Sequence, residues 1–116
     1  MYAFNGLKIM LKEEHNSRIH LFFTAIVIAF MLIFRFTLAE YALLVLAIGL
    51  VFMAELFNSA LENLSDHISP EHQEKIKKVK DLSAAAVLVS ALTAFVIGCL
   101  ILGPKLINIR EFIRLL

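Results

Sequence analysis

The chain has 116 residues, 60% of them hydrophobic and only 18% charged, with a formal net charge of +1 and a mean hydropathy of +0.84. Soluble domains are nearer half apolar and about one-quarter charged, and a domain this small hides only about two-thirds of its surface. These values exclude intrinsic disorder and the basic footprint of a nucleic-acid binder, and they argue against a water-soluble single-domain enzyme. They predict an all-α integral membrane protein with one domain over residues 1–116. The single cysteine, Cys99, forms neither an intrachain disulfide nor a cysteine-based zinc site.

In chain order, Phe4, Leu7, Ile9, Met10 and Leu11 alternate with Lys8, Lys12, Glu13 and Glu14, which predicts an amphipathic interfacial helix over about 3–17. Leu21 to Phe34 carries no charge, and the run resumes past Arg35 to Ala39. It is longer than a signal-peptide core, follows two glutamates and two histidines, and has no small-residue cleavage site after it, so it is expected to be retained. A second apolar run begins at Tyr41, meets Glu55 and continues with polar interruptions to Leu64, while Leu82 to Gly103 is free of charge. A bilayer core needs about 20 such residues in a helix. Three transmembrane helices are therefore predicted, about 20–37, 41–64 and 82–103. Ser69-Pro70, within the polar connection 63–81, reads as a helix start. Pro104, Lys105 and a basic-apolar tail close the chain, and no internal repeat is present.

Orientation follows from the cations. The N-terminus and the second connection share a side and carry seven: Lys8, Lys12, Arg18, Lys75, Lys77, Lys78 and Lys80. The other side has four, Arg35, Lys105, Arg110 and Arg114. A cytoplasmic N-terminus is predicted.

The second span holds Glu55, Asn58, Glu62 and Asp66. At 100° per residue these fall within an arc of roughly 80°. A carboxylate in the bilayer costs about 2.5–3.5 kcal/mol even on lenient insertion scales, so such a stripe faces a bundle interior, a watery cavity or a partner charge. Residues in the headgroup zone escape that cost, which leaves an ordinary interfacial reading open for any one glutamate. Taken together, interfacial carboxylates suit phosphoryl transfer: ATP-bound magnesium takes one or two protein carboxylates, and another accepts a hydroxyl proton. Lys80 and Asp81 would add a phosphate-facing cation and an acceptor, or simply form a charged helix end.

Other chemistries find little support. The four glycines, Gly6, Gly49, Gly98 and Gly103, make neither a P-loop nor a G-x-G-x-x-G turn. His15/His20 and His67/His72 are each five apart, about 140° on a helix, and make poor metal pairs. Ser59, Ser83 and Ser90 lack an apparent base partner, and Cys99 reads as packing.

The stretch Glu55-Leu-Phe-Asn-Ser-Ala-Leu-Glu62, then Asp66, Lys80-Asp81 and Ser83-Ala-Ala-Ala-Val87, resembles the signature of the prokaryotic diacylglycerol kinases. These are small bacterial membrane lipid kinases unrelated to soluble kinases. The resemblance runs from about Tyr2 to Leu102. Within that family, Glu14-His-Asn-Ser-Arg-Ile-His20 and Gly103-Pro-Lys-Leu106 are similar to the undecaprenol kinase branch, which tilts the acceptor towards undecaprenol, with diacylglycerol as the alternative.

The resemblance implies a set of roles. Glu55 would be the general base towards the lipid hydroxyl, and Asn58 the amide that orders the site. Glu14 and Glu62 would hold the magnesium ion that accompanies ATP. Lys80 and Asp81 would contact the nucleotide, as would Tyr2 and the Glu71, His72, Gln73 segment, with Asp66 extending the carboxylate set. It further implies a homotrimer with shared active sites in the bacterial cytoplasmic membrane, and the small residues from Ser83 to Ala94 permit the close helix contacts this needs. This sequence departs from the pattern in its short N-terminus, in His72-Gln73 where the diacylglycerol branch often has Tyr-His, and in Val79 where alanine is commoner. Rivals from other classes are a non-catalytic membrane scaffold, which three spans alone would fit, and a small transporter, against which the charges gather at one membrane face.

Overall fold

A computed structural model describes residues 1–68 and 73–115, without the side chains of 111, 112 and 115. Four helices fill it: α1 Tyr2–Glu13, α2 His15–Ile33, α3 Leu38–Ile68 and α4 Glu74–Leu115. No strand occurs among the described residues. Three of the helices, α2, α3 and the Glu74–Arg110 part of α4, are long and apolar enough to cross a membrane. The expected helix start at Ser69-Pro70, and the candidate residues Glu71 and His72, lie outside the described residues.

The chain exposes 8835 Å², against about 6400 Å² for a compact soluble chain of this mass. Much of the excess is large apolar side chain, including Phe22, Leu32, Leu46, Phe57, Phe95 and Leu100. Apolar surface on this scale belongs in a bilayer or against other membrane helices. The protein is an integral membrane protein.

α3 runs beyond the expected 41–64 at both ends and α4 begins ahead of 82, and three further differences from the expected helix ends bear on the packing. Patterning put one helix over 3–17; the structure ends α1 at Glu13, leaves Glu14 extended (φ −103°, ψ 112°) and restarts at His15. The turn lets α1 fold back against both α2 and α3, burying Met10 on one side of the break and Ser17 on the other. The first span was expected to reach residue 37, but α2 closes at Ile33 with Phe34 extended (φ −99°, ψ 156°). Polar side chains hold this turn. Thr37 Oγ1 accepts from the Glu40 N–H at 3.2 Å, and Glu40 Oε1 accepts from the Thr37 N–H at 2.9 Å, a reciprocal capping box that starts α3. The Tyr41 hydroxyl donates towards the carbonyls of Met31 at 3.2 Å and Phe34 at 3.4 Å, which the end of α2 would otherwise leave unpaired. Finally, α4 continues through Pro104 to Leu115. Proline there removes one helical hydrogen bond, and Lys105 compensates by tying the segment to the α2–α3 turn, 3.8 Å from Glu40 and 5.2 Å above the Phe36 ring.

Tyr41→Phe keeps the packing of the ring and removes only these hydrogen bonds. It is expected to lower stability by about 0.5–1.5 kcal/mol without affecting the opposite end of the bundle. Denaturant titration in detergent micelles measures the effect.

The main packing surface lies between α3 and α4, with α2 joined more sparingly to α3. On α3 the buried positions are Leu44, Ala47, Val51, Glu55, Asn58, Ser59 and Ser65. They form one stripe at helical spacing, apolar in its first half and polar in its second. The facing buried residues of α4 include Ser83, Ser90 and Ile101. All polar bundle contacts of the second half gather at one end, where α2 and α4 begin and α3 ends.

Candidate active site

Glu55 lies within this polar half of the α3 stripe and is only 1% exposed. Helical periodicity puts it one turn beyond Val51, so the packing that buries the apolar half also buries the carboxylate. The first turns of α2 supply its neighbours. Ser17, fully buried, donates its hydroxyl to Glu55 Oε2 at 3.4 Å. His20 Nε2 stands 3.2 Å from Glu55 Oε1 without an N–H aligned on that oxygen. One turn further along α3, Asn58 Oδ1 accepts a 2.8 Å hydrogen bond from the Ser83 hydroxyl. That bond fixes which way the amide points and locks α3 to α4 beside the site. The Ser59 hydroxyl, also buried, has no hydrogen-bond partner among the described residues, while its carbonyl accepts from Asn63 Nδ2 at 2.8 Å.

Further towards the helix ends the site opens to water. Glu14, at the α1–α2 break, is near enough to Glu62 and to Glu55 for its negative charge to act on both carboxyls. Two carboxylates this close repel unless a cation or proton lies between them. Lys80 is committed to Asp66 at 2.5 Å, and both are largely exposed, so that pair adds little to stability. Asp81 pairs with Lys77 at 2.7 Å, one helical turn earlier. Gln73 is exposed, and Tyr2 stands 97% exposed at the start of α1.

Thus Glu14, Glu55, Asn58, Glu62, Asp66 and Lys80 come together, whereas Tyr2, Gln73 and Asp81 stand apart from the buried centre. The sequence reading weighs His20 only as a poor metal pair with His15, has Ser17 only within the Glu14–His20 stretch, and gives neither a place beside Glu55. With Glu14 they lie three residues apart along the chain, a spacing that keeps them near one face of a helix start. The sequence reading has Ser83 as a serine without a base partner and as a small residue of the signature; its hydroxyl proves to be the partner of Asn58.

No group of three or more His, Cys, Asp or Glu side chains able to cage a metal ion occurs among the described residues. A magnesium ion carried in by a nucleotide needs only one or two carboxylates, its other ligands being phosphate oxygens and water. The Glu14–Glu62 pair has the donor chemistry and the uncompensated charge for that.

Below Glu55, on the side away from the charged end, an apolar cleft of about 500 Å³ separates α2 from α4 over the floor of α3. His20, Val27, Leu44, Phe95 and Leu102 are among its walls. His20 lines the cleft and also brings its side chain to Glu55.

A family model described as prokaryotic diacylglycerol kinase matches residues 1–102. A diacylglycerol kinase of Synechocystis is 36% identical over 107 residues, covering 90% of this chain and 61% of that protein. An undecaprenol kinase of Bacillus subtilis is 32% identical over 106 residues, covering 91% of this chain and 86% of that one. A diacylglycerol kinase of Escherichia coli is 37% identical over 60 residues, about half of each chain.

Proposed function

This chain belongs to the prokaryotic diacylglycerol kinase family, and on that premise we propose that it transfers the γ-phosphoryl group of ATP to the hydroxyl of a membrane lipid, undecaprenol before diacylglycerol. The observation that carries the reading is Glu55, a carboxylate 1% exposed at the head of an apolar cleft. A buried carboxylate is costly in a membrane helix, and its place beside a groove open to lipid chains suits a base for a lipid hydroxyl.

The remaining residues take their roles around it. Ser17 holds one carboxylate oxygen of Glu55 and leaves the other for proton transfer. Asn58, oriented by Ser83, orders the space between Glu55 and the metal pair. Glu14 and Glu62 would hold the magnesium ion that comes with ATP, which supplies charge neutralisation at the phosphates. Lys80 exchanges Asp66 for phosphate when nucleotide binds, and Asp81, Gln73 and Tyr2 take the nucleotide side, a role the family resemblance also gives to Glu71 and His72, outside the described residues. The site faces the cytoplasm at the end richest in lysine, with α1 lying in the membrane interface. Three copies form a trimer that encloses the exposed helix faces and completes the site. In a bacterial cytoplasmic membrane, the product with undecaprenol would be undecaprenyl phosphate.

Diacylglycerol is the second reading, favoured by the name of the Synechocystis relative. The test presents both acceptors at equal concentration in the same mixed micelles, with γ-32P-labelled ATP and magnesium. Label in undecaprenyl phosphate is expected. Label in phosphatidic acid instead would move the acceptor and keep the chemistry, and label in neither would overturn the proposal.

A further inference from the structure

The apolar cleft between α2 and α4 is long and narrow. Its α4 wall runs from Ala91 to Leu106, about 22 Å of helix rise. Spread over that length, a volume of about 500 Å³ gives a mean cross-section of about 23 Å². An α-helix with its side chains is about 10–12 Å across, about four times that area, so a helix of a second copy does not fit. Carbon atoms in contact lie about 3.5–4.0 Å apart, so a packed hydrocarbon chain fills roughly 20 Å², and the cleft admits one chain and not two. Its polar end is at His20, beside Glu55. Its other end, at Leu106, adjoins the Lys105–Glu40 contact at the far end of the bundle. A chain confined to its own leaflet covers half of a core about 30 Å thick, whereas the cleft goes on past the middle of the α4 span. Gly98 and Gly103 stand on that distal wall, and a Cβ at either would meet nothing within 4 Å.

We infer that the cleft is a single-chain channel, in which a long lipid alcohol lies with its hydroxyl at the Glu55 end and its tail past the bilayer midplane, and that Gly98 and Gly103 keep the distal half open. This rests on the kinase reading above and gives the choice of acceptor a physical basis. A polyprenol has one chain, longer than a leaflet, and fills the channel to Leu106. Diacylglycerol has two chains that end in their own leaflet: one can enter, the other stays outside, and the distal half remains unfilled. Between lipid and protein there is no hydrophobic driving force. What a chain gains is contact with walls that would otherwise face a void. Selectivity therefore follows from how completely the chain fills the channel, and it is set on α4, away from the phosphoryl-transfer site.

The experiment uses the full chain in detergent micelles, with farnesol, geranylgeraniol, solanesol and undecaprenol as acceptors of rising length. For the wild type, kcat/KM is expected to rise until the chain reaches Leu106 and then to level off. Gly98→Leu places a side chain in open space and obstructs the channel. One methylene in a fitted apolar pocket is commonly worth about 10-fold or more, so kcat/KM for undecaprenol relative to farnesol is expected to fall at least about tenfold. The KM for Mg-ATP, the unfolding midpoint and the oligomer mass by light scattering are expected to stay at the wild-type values. An unchanged ratio would overturn the inference, and an unchanged ratio with a smaller oligomer would give the cleft to a second copy instead. Independently of turnover, geranylgeraniol with a diazirine on its last isoprene unit is expected to crosslink to α4 between Gly98 and Leu106. Undecaprenol is expected to compete with it and diacylglycerol is not. Crosslinks confined to outward positions such as Leu92 and Leu100, or equal competition by diacylglycerol, would overturn the single-chain channel. Wild-type protein that phosphorylates none of these alcohols would count against the kinase reading itself, and the crosslinks would still decide what the cleft holds.

Discussion

Glu55→Gln is expected to reduce lipid phosphorylation by at least about 1000-fold, within the range that loss of a general base commonly produces. The substitution is nearly isosteric, and the amide oxygen still accepts the Ser17 hydroxyl that now lies 3.4 Å from Oε2. Removing a buried negative charge also relieves a cost of burial, so the folded protein is expected to be at least as stable as wild type. Binding of Mg-ATP is expected to persist, because Glu14, Glu62 and Lys80 are untouched. Loss of turnover with retained nucleotide affinity and stability is therefore the signature of the role assigned to Glu55. Turnover at the wild-type rate would remove Glu55 from the proton-transfer machinery.

Glu62→Gln is expected to act on nucleotide binding. One anionic contact to the metal is lost, and contacts of charged groups are commonly worth about 1.5–3 kcal/mol, which corresponds to about 10–100-fold weaker Mg-ATP binding. The free protein should respond in the opposite sense. Glu62 feels the negative charge of the nearby Glu14 carboxyl, and neutralising one member of a like-charged pair relieves repulsion. The unfolding midpoint without nucleotide is expected to stay level or rise, while the stabilisation given by Mg-ATP shrinks. Calorimetric titration and thermal unfolding, with and without magnesium, separate the two effects. An unchanged KM for Mg-ATP and an unchanged magnesium requirement would contradict the metal-holding role.

These two substitutions act at opposite ends of one short stretch of α3, and helical periodicity explains why both were legible in the sequence. Leu44, Ala47, Val51, Glu55, Asn58 and Glu62 recur at helical spacing, so the residues that pack the bundle and those that do chemistry share a face. The three spans were legible for a simpler reason: charge is costly in the bilayer and is confined to the ends. What was not legible depends on contacts between helices. The break at Glu14 arises because α1 packs against α2 and α3 together, and no local signal in 3–17 marks it. That break sets Ser17 and His20 at the start of α2, facing Glu55, 38 and 35 positions away. The turn at 34–37 did carry a local signal, since Thr37-Leu-Ala-Glu40 is a capping-box spacing, but the apolar run across Arg35 masked it. Pro104 remains inside α4 because the anchoring of Lys105 to Glu40 and Phe36 opposes a stop that the proline alone would favour.

The two ends of the bundle also divide the work. At the Thr37–Glu40–Lys105 end, side chains satisfy helix termini and one another, a structural role. At the Glu14–Glu55–Glu62 end, among the described residues, no lysine or arginine forms an ion pair with any of these three carboxylates: Lys80 serves Asp66, and Lys77 serves Asp81. Stability alone gives no reason to assemble such an excess of like charge, while a substrate that arrives with a metal ion does.

The central claim is that this site moves phosphate from ATP to a lipid hydroxyl through Glu55. Its most direct measurement follows label from γ-32P-labelled ATP into chloroform-soluble lipid phosphate, for wild type and Glu55→Gln in the same undecaprenol-containing micelles. The account predicts lipid phosphate formed in step with ADP by the wild type, dependent on a divalent cation, and none above background from Glu55→Gln. Folded wild type that labels no lipid alcohol, or equal labelling by the two proteins, would contradict it.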